Sequence, residues 1–556
     1  MPLIITILVL YIALAVGIGV YFNRKANTVN EYVLGGRSVG PWITAFAYGT
    51  SYFSAVIFVG YAGKFGWNFG ISSTWIGIGN CLIGSLMAWA LMGRRTRVMS
   101  KHLESSTMPE FFEKRYMSKT LKIVAAIIVF IFLIPYTASV YNGLSRLFEM
   151  VFHIDYSICV IAMAVVTAVY VILGGYKATA YNDFIQGIIM LIGICAVVIA
   201  TLANKGGFYE ALNQMSQIPN DKGVLAGMQG AYASFFGPDP INLLGVIILT
   251  SLGTWGLPQM VTKFYTIKDE RSIKSGTIVS TAFALIVAGG CYFLGGFGRI
   301  FVENVDGQPA SGFDGIIPAM LETLPDLLIG IVVVLVLSAS MSTLSSLVLT
   351  SSSSITLDLI APMMKGKLDE KKKVLVLRIF VALFLVVSVI IALNKNALIS
   401  DLMGYSWGAL AGAFLAPFLY GLFWKKTTRA SVWVSFIFGI GLTLLHFILA
   451  SLGQLSGTFL GFTVASPVNL GAFTMVGSLI IVPIVSLITP KMQNKDLDYI
   501  FSCYSKRVTV SQSEAITSGA EVIETSAGEA PVQKQKIAPG EPRPASSIKK
   551  KKKKRK

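Results

Sequence analysis

The sequence has little of what an enzyme needs in its active site. It contains three histidines, His102, His153 and His446, and shows no His/Asp pair, no HExxH motif and no pair of carboxylates inside an apolar segment. Its glycines do not form a P-loop pattern. These absences argue against metal-dependent, acid–base and nucleotide chemistry, so we do not expect an enzyme.

Cysteine is also scarce and follows no pattern. The five cysteines show no CxxC spacing, which argues against a zinc site and against a disulfide framework. They are Cys81, Cys159, Cys195, Cys291 and Cys503. We interpret them as small packing residues.

Charged residues make up only 13% of the chain, against 54% hydrophobic residues, and the mean hydropathy is +0.68. The apolar residues gather in blocks of about 20, the length of a helix that crosses a hydrocarbon core of ~30 Å. Because a backbone exposed to lipid must satisfy its own hydrogen bonds, the blocks predict an all-α integral membrane protein. The thirteen predicted spans are 3–22, 41–63, 71–93, 121–147, 156–174, 183–203, 240–262, 276–300, 326–350, 374–394, 401–423, 431–451 and 469–489.

The positions of the positive charges predict a topology. The net charge is +18, yet the loops after odd-numbered spans hold 23 Lys and Arg and those after even-numbered spans hold 4. This positive-inside pattern indicates a multi-pass protein of the plasma membrane with its N-terminus outside and its C-terminus in the cytoplasm, and it gives no indication of nucleic acid binding. The first block lacks a preceding basic region and is followed by YFNRK, so we expect a span rather than a cleaved signal peptide.

The composition divides the chain into a membrane unit, 1–490, and a cytoplasmic tail, 491–556. From about residue 505 the tail is rich in Ser, Glu, Ala and Pro, which predicts disorder. The tail ends in the basic run Lys549–Lys556, which would either contact anionic lipid or stay solvated without a specific role. We expect the loops 204–239 and 301–325 to carry short helices that cap an entrance.

The stretch SASMSTLSSLVLTSSSS, 338–354, places a row of hydroxyl groups in and just beyond a predicted span. Ser338, Ser342, Ser345 and Ser346 share one helix face, and Thr343 lies beside them. One interpretation is polar packing between membrane helices. The other is a site for Na⁺, a hard cation that takes oxygen ligands.

An acidic residue inside a span is rare here, and Asp183 in GGYKATAYNDFIQG lies at the start of span 6. An ionisable group in a membrane predicts a functional role. The alternative is an acid that interacts with the dipole at a helix N-terminus. By the predicted topology, Ser345 and Ser346 lie at the same depth as Asp183.

Two groups of five spans, 2–6 and 7–11, have opposite orientations. Each group opens with a segment that glycine or proline interrupts, at 47–60 and 249–259. Interrupted spans in corresponding positions of two halves indicate the binding site of an inverted-repeat transporter. This arrangement favours alternating access over a channel.

Three motifs together resemble the sodium:solute symporter family: NEYVLGGRSVGPWITAFAYGTSYFSAVIFVGYAGKFG at 30–66, GGYKATAYNDFIQG and SASMSTLSS. The resemblance covers about residues 1–490. It implies the LeuT-type fold, with a five-plus-five inverted repeat in spans 2–11 (about 40–203 and 240–423), one helix before it and two after it.

The resemblance also implies sodium sites. The family's main site corresponds to the carbonyls of Thr50, Phe53 and Ala339 and the hydroxyls of Ser342 and Thr343. A second site, found in some members, corresponds to four residues of this chain. They are Asp183, Ser342, Ser345 and Ser346.

The chain departs from the family's proline transporters, which carry an aspartate at the position of Tyr52. They also carry aromatic residues where this chain has Thr250 and Thr254, and the Asn and Gln pattern of the sugar transporters is missing from span 2. The candidate solute contacts, whose aromatic members could also be ordinary packing residues, are Ser51, Tyr52, Tyr136, Thr254, Trp255 and Gln259.

These features predict secondary active transport, in which inward Na⁺ flow drives uptake of a small organic solute such as proline or a related amino acid. A monocarboxylate or pantothenate is an alternative solute, and a proton carrier using Asp183 is an alternative mechanism. A solute sensor without transport activity would retain the same fold. The expected partners are Na⁺, the solute and membrane lipid.

Overall fold

A computed structural model of the protein describes residues 2–23, 28–221, 227–268, 270–364, 369–394 and 398–505, together with residues 507–509 and 523–525. The chain forms a large unit, Met1–Phe501, and a small unit, Ser502–Lys556. In the small unit, Arg507–Thr509 pairs antiparallel with Ile523–Thr525. The rest of the tail after residue 505, where we predict disorder, and its end Lys549–Lys556 lie outside the described residues.

The large unit is built almost entirely of helices. In chain order they are α1 (Pro2–Asn23), α2 (Val29–Leu34), α3 (Pro41–Tyr52), α4 (Ala62–Phe69), α5 (Thr74–Gly79), α6 (Arg94–His102), α7 (Met108–Tyr116), α8 (Lys119–Phe152), α9 (Tyr156–Ala203), α10 (Phe208–Gln217), α11 (Pro240–Gly256), α12 (Pro258–Tyr265), α13 (Arg271–Gly295), α14 (Ile316–Leu321), α15 (Asp326–Ser353), α16 (Ala361–Met363), α17 (Glu370–Ala392), α18 (Ile399–Phe423), α19 (Arg429–Ser451), α20 (Pro467–Ile488) and α21 (Asn494–Ser502).

Shorter elements join these helices. Three π-helical segments are Val56–Tyr61, Asn80–Gly93 and Ser354–Ile360. Short 3₁₀ turns are Gly35–Arg37, Gly70–Ser73, Ala231–Ala233, Gly298–Ile300 and Phe313–Gly315. Two small hairpins pair Asn304–Val305 with Gln308–Pro309 and Thr458–Phe459 with Phe462–Thr463.

The predicted count of thirteen spans is not confirmed. Among the described residues, ten helices are long and apolar enough to cross a membrane, or eleven when the bent pair α11–α12 counts as one span. The count falls because Val56–His102 counts as one helix although it contains parts of two predicted spans, which are separated at Gly70 (φ 62°, ψ −143°). In addition, Tyr156–Val169, the first part of α9 before a kink at Gly175, is shorter than a membrane span.

Two helices are interrupted at the segments where the sequence predicted a binding site. Helix α3 ends at Tyr52. The next residue, Phe53, has an extended backbone (φ −98°, ψ 125°), and a π-helical segment begins at Val56. Helices α11 and α12 meet at Leu257 (φ −78°, ψ 124°) with a bend of 45°. Pro258 explains the second break, because the residue before a proline is driven away from the helical region.

Helix α15 lies at the centre of the large unit. Its residues from Val332 to Ser353 are all buried, and it packs against α3, α8 and α9. Helix α8 passes the first break closely, because a Cβ on Gly143 would lie 2.9 Å from the carbonyl oxygen of Ala55. The hydroxyl row of α15 therefore faces other helices and not lipid.

The loops 204–239 and 301–325 contain short helical elements, as the sequence predicted. The first contains α10 and a 3₁₀ turn, and the second contains a hairpin, a 3₁₀ turn and α14. Arg299 holds the first loop: its guanidinium makes two contacts with the Asp221 carboxylate, at 3.0 and 3.2 Å, and stacks on the rings of Trp67 and Tyr232.

Candidate functional site

The hydroxyl of Thr343 lies among the carbonyl oxygens that the first break exposes. Its Oγ1 atom is 3.1 Å from the oxygen of Phe53, 3.3 Å from that of Ser51 and 3.5 Å from that of Thr50. These carbonyls face α15 because α3 stops at Tyr52 and cannot use them in further helical hydrogen bonds. The break thus places several uncharged oxygens around one side chain.

Ser342 extends the same cluster. Its hydroxyl donates to the Thr50 hydroxyl across 2.8 Å, and Thr50 in turn donates to the carbonyl of Phe46. Ala339 is fully buried one helical turn before Thr343. All five residues predicted for the main sodium site therefore lie in or beside this cluster.

The geometry suits a hard, monovalent cation. Hydroxyl and carbonyl oxygens can replace a hydration shell, and the oxygens in this cluster carry no formal charge. Two oxygens that the sequence did not single out lie in the same region: the Ser51 carbonyl, and the Ser340 hydroxyl, which accepts from the Ala55 N–H across 3.3 Å. Ser340 could not be found by helical spacing because it lies off the predicted serine face.

The residues of the predicted second sodium site are differently arranged. The hydroxyl of Ser345 donates to the carbonyl of Ser342, and the hydroxyls of Ser346 and Ser51 share a hydrogen bond of 2.8 Å. Asp183 is fully buried, and its Oδ2 atom lies 3.5 Å from the ammonium nitrogen of Lys263. Among the described residues, no hydrogen bond to the Asp183 carboxylate has normal geometry, although the Ser342 hydroxyl and the Lys263 ammonium both lie close enough to interact with it.

The structure corrects the position of Lys263, which was counted among the positive charges of the loops. The sequence placed it in a loop, one residue after the predicted span 240–262. In the structure its side chain is 3% exposed, on α12, with its ammonium 5.1 Å from the ring centre of Tyr176. The break at Leu257 explains the error, because it starts a second buried helix that carries the chain beyond the expected end of the span.

Three aromatic side chains meet next to the first break. The ring centre of Trp407, on α18, lies 6.0 Å from that of Tyr52 and 5.7 Å from that of Tyr136. Trp407 is buried, and its indole N–H has no partner among the described residues. The sequence identified Tyr52 and Tyr136 but not Trp407, whose position far along the chain carries no local motif.

The other predicted solute contacts lie elsewhere. Thr254 donates to the carbonyl of Gly84 and Trp255 to that of Ile83, so both side chains attach α11 to the helical segment Asn80–Gly93. Thr254 and Tyr52 also line a small cavity of about 10 Å³. Gln259 lines a separate cavity of about 10 Å³ with Lys263 and Ser346.

Two larger cavities lie away from the breaks. One, of about 390 Å³ between α19 and α20, is almost wholly apolar and includes none of the predicted site residues. The other, of about 700 Å³, is lined by polar groups that include Lys64 and Asp401. Their side chains form an ion pair of 3.0 Å that joins α4 to α18.

Comparison with known proteins agrees with this geometry. The model of the sodium:solute symporter family matches residues 32–439. The osmoregulated proline transporter OpuE of Bacillus subtilis (strain 168) is 29% identical over 462 residues, covering 82% of this chain and 91% of that protein. A sodium/proline symporter of Staphylococcus aureus is 30% identical over 420 residues, covering 74% and 79%.

A solved structure shows the same fold. A Na⁺-coupled sialic acid symporter, in a substrate-bound outward-open state, superposes with a TM-score of 0.68 over 88% of this chain and 98% of that chain. The sequence identity is 16%, so the likeness establishes the arrangement of helices and nothing about the solute.

Proposed function

The chain belongs to the sodium:solute symporter family, and within this family we propose that it takes up proline or a closely related small amino acid together with Na⁺. Membership makes the protein a Na⁺-coupled secondary transporter and not an enzyme. It is a multi-pass membrane protein, and its LeuT-type fold agrees with the expectation from the sequence. The identity of the solute, the residues that bind Na⁺ and the orientation of the chain in the membrane are what we propose here.

The main Na⁺ site of the proposal consists of Thr50, Phe53, Ala339, Ser342 and Thr343. The observation that carries it is the contact of the Thr343 hydroxyl with the carbonyls of the first break. An ion held there joins α3 to α15 and stabilises the break in the conformation that binds solute. Separation of the two helices then weakens the ion site and the solute site together, which couples the two fluxes.

The solute site of the proposal lies at the first break. The helical segment after Phe53 offers its N-terminus to a carboxylate, as broken helices of transporters do. A carboxylate bound there would replace the present hydroxyl partners of the first N–H groups, Ser340 for Ala55 and Ser54 for Val56. The rings of Tyr52, Tyr136 and Trp407 then cover the apolar part of the solute.

Proline is the preferred solute because both curated relatives compared above are proline transporters by name. The tyrosine at position 52, where the family's proline transporters carry aspartate, is a departure that argues against proline and for a different small solute, which is why the competition experiment below includes other solutes. Of the six candidate contacts, Tyr52 and Tyr136 touch the solute. The other four hold neighbouring helices in place around it: Ser51, Thr254, Trp255 and Gln259.

The driving force is sufficient for strong accumulation. One charge moving through ~100 mV yields ~2.3 kcal/mol, and a tenfold sodium gradient adds ~1.4 kcal/mol. Together they support roughly 500-fold accumulation of a neutral solute with one Na⁺.

The topology of the proposal follows the distribution of Lys and Arg. It places the protein in the plasma membrane, with the N-terminus outside, the C-terminus in the cytoplasm and the cavity at Lys64 facing outside. The membrane unit is 1–490 and the tail is 491–556. The basic run Lys549–Lys556, outside the described residues, contacts anionic lipid on the cytoplasmic face.

Uptake into proteoliposomes tests the solute and the coupling ion. We expect labelled proline to accumulate under an inward Na⁺ gradient and not under a choline gradient at the same pH. Competition by unlabelled amino acids, monocarboxylates and pantothenate ranks the solutes. Accumulation of a monocarboxylate but not of proline would contradict proline as the solute. Uptake driven by protons in the absence of Na⁺ would contradict coupling to Na⁺.

A further inference from the structure

We propose that Lys263 takes the place of the second sodium ion, so that this protein carries a tethered cation beside Asp183 and moves one Na⁺ per solute. The inference rests on the proposed Na⁺ symport and specifies its stoichiometry. It replaces the second site expected from the family resemblance with a neutral pair of side chains.

Both side chains of the pair are buried. The side chain of Asp183 is 1% exposed and that of Lys263 is 3% exposed, with 3.5 Å between Oδ2 and the ammonium nitrogen. Within the described part of the chain, the Asp183 carboxylate interacts with the Ser342 hydroxyl and, most strongly, with the Lys263 ammonium, which is its main electrostatic compensation. A buried carboxylate without a counter-charge is strongly unfavourable, and Lys263 supplies that charge without any ion.

The remaining residues of the expected second site do not form a ready set of ligands. The hydroxyls of Ser342, Ser345 and Ser346 contact Thr50, the Ser342 carbonyl and Ser51 respectively. A hydroxyl that donates keeps lone pairs for a cation, so these contacts alone do not exclude sodium. The charge is the stronger argument: Asp183 is the one charged ligand of the expected second site, and its carboxylate is already compensated by Lys263, so it attracts a sodium ion less than a free carboxylate would.

The space next to the pair is also small. The cavity lined by Lys263, Gln259 and Ser346 has about 10 Å³, close to the minimum that holds one water molecule. Lys263 lies on α12, directly after the second break, and Asp183 lies on α9. The tethered ammonium therefore connects the broken span to α9, as an ion bound there would do.

Equilibrium binding of radioactive sodium to the purified full-length protein tests the inference without knowledge of the solute. We expect one Na⁺ per protein for the wild type, and an affinity for Na⁺ at least about tenfold weaker for Thr343→Val. Lys263→Met removes the tethered cation and should raise the count to two, whereas Lys263→Arg should keep it at one. The double variant Asp183→Asn/Lys263→Met, in which both charges are absent, should also bind one ion.

Two Na⁺ per wild-type protein, falling to one in Asp183→Asn, would overturn the inference while leaving Na⁺ symport intact. A count of one in a folded Lys263→Met protein would also overturn it. If Lys263→Met does not fold, the counts for the wild type and for Lys263→Arg still decide between one ion and two. Absence of any sodium binding to the wild type would contradict the proposed symport itself and is therefore a distinguishable result.

Discussion

The hydroxyl of Thr343 lies 3.1 Å from the carbonyl oxygen of Phe53, although 290 residues separate them in the sequence. The contact joins the central helix α15 to the point where α3 is interrupted. Because the break leaves carbonyl oxygens without helical partners, a threonine at this position has oxygen neighbours suited to a cation. The Na⁺ dependence of transport should therefore be most sensitive to this residue.

Thr343→Val keeps the shape of the side chain and removes its oxygen. We expect the sodium concentration for half-maximal uptake to rise by at least about tenfold, equivalent to ~1.4 kcal/mol. Thr443→Val is the matched control, because Thr443 is also buried and its hydroxyl, within the described part of the chain, bonds to the carbonyl of Gly439 in its own helix α19. Initial uptake rates measured over a range of sodium concentrations compare the two. Equal sodium curves for both variants would contradict the assigned role of Thr343.

Trp407→Phe tests the aromatic part of the solute site. We expect the solute concentration for half-maximal uptake to rise about three- to tenfold, since contacts between aromatic side chains contribute ~0.5–1.5 kcal/mol each. Trp89→Phe is the control: Trp89 is equally buried but packs against Tyr48 and Phe264. The account would be wrong if Trp89→Phe weakened solute uptake as much as Trp407→Phe does.

The ion pair of Lys64 and Asp401 lies at the cavity that we place on the outside. Its side chains are 19% and 35% exposed, so its free energy is at most about 1 kcal/mol. Lys64→Gln should change the initial rate of uptake by up to about fivefold, and the effect should shrink at high ionic strength. The exchange Lys64→Asp with Asp401→Lys should restore the wild-type rate. If the exchange does not restore the wild-type rate, Lys64 and Asp401 act separately and not as a pair.

Arg299 should be important for stability and not for ion binding. Its side chain is 1% exposed, contacts Asp221 with both terminal nitrogens and stacks on two rings. Arg299→Lys loses the two-point contact and the stacking, and we expect a loss of about 2–3 kcal/mol in the free energy of unfolding. Arg94→Lys, in an exposed pair with Glu270, should cost almost nothing. Melting temperatures in detergent compare them, and similar values for the two variants would refute the assignment.

Much of the oxygen cluster at the first break could be predicted from the sequence, because it is encoded in local patterns. Hydroxyls such as those of Ser342 and Thr343 are unusual in an apolar segment, and glycine and proline mark the interruptions. Helical spacing then places Ser342, Ser345 and Ser346 on one face. The structure adds that these three hydroxyls have different partners.

The parts that the sequence did not reveal depend on contacts between distant segments. Trp407 meets Tyr52 and Tyr136 only through the packing of three helices. Lys263 looked like a loop residue because a hydropathy block cannot show that the chain continues as a buried helix after Leu257. Thr254 and Trp255 were attractive as solute contacts, yet neighbouring carbonyls already accept from their polar groups.

The most direct measurement of the central claim is the melting temperature of the detergent-purified protein in NaCl and in KCl at equal ionic strength. Ligand binding to the folded state stabilises it, by ~2.7 kcal/mol at a concentration 100 times the Kd. We predict a higher Tm in NaCl for the wild type and for Thr443→Val, a further rise with proline only when sodium is present, and a smaller sodium effect in Thr343→Val. Identical curves in the two salts for the wild type would contradict a sodium site at the break in α3.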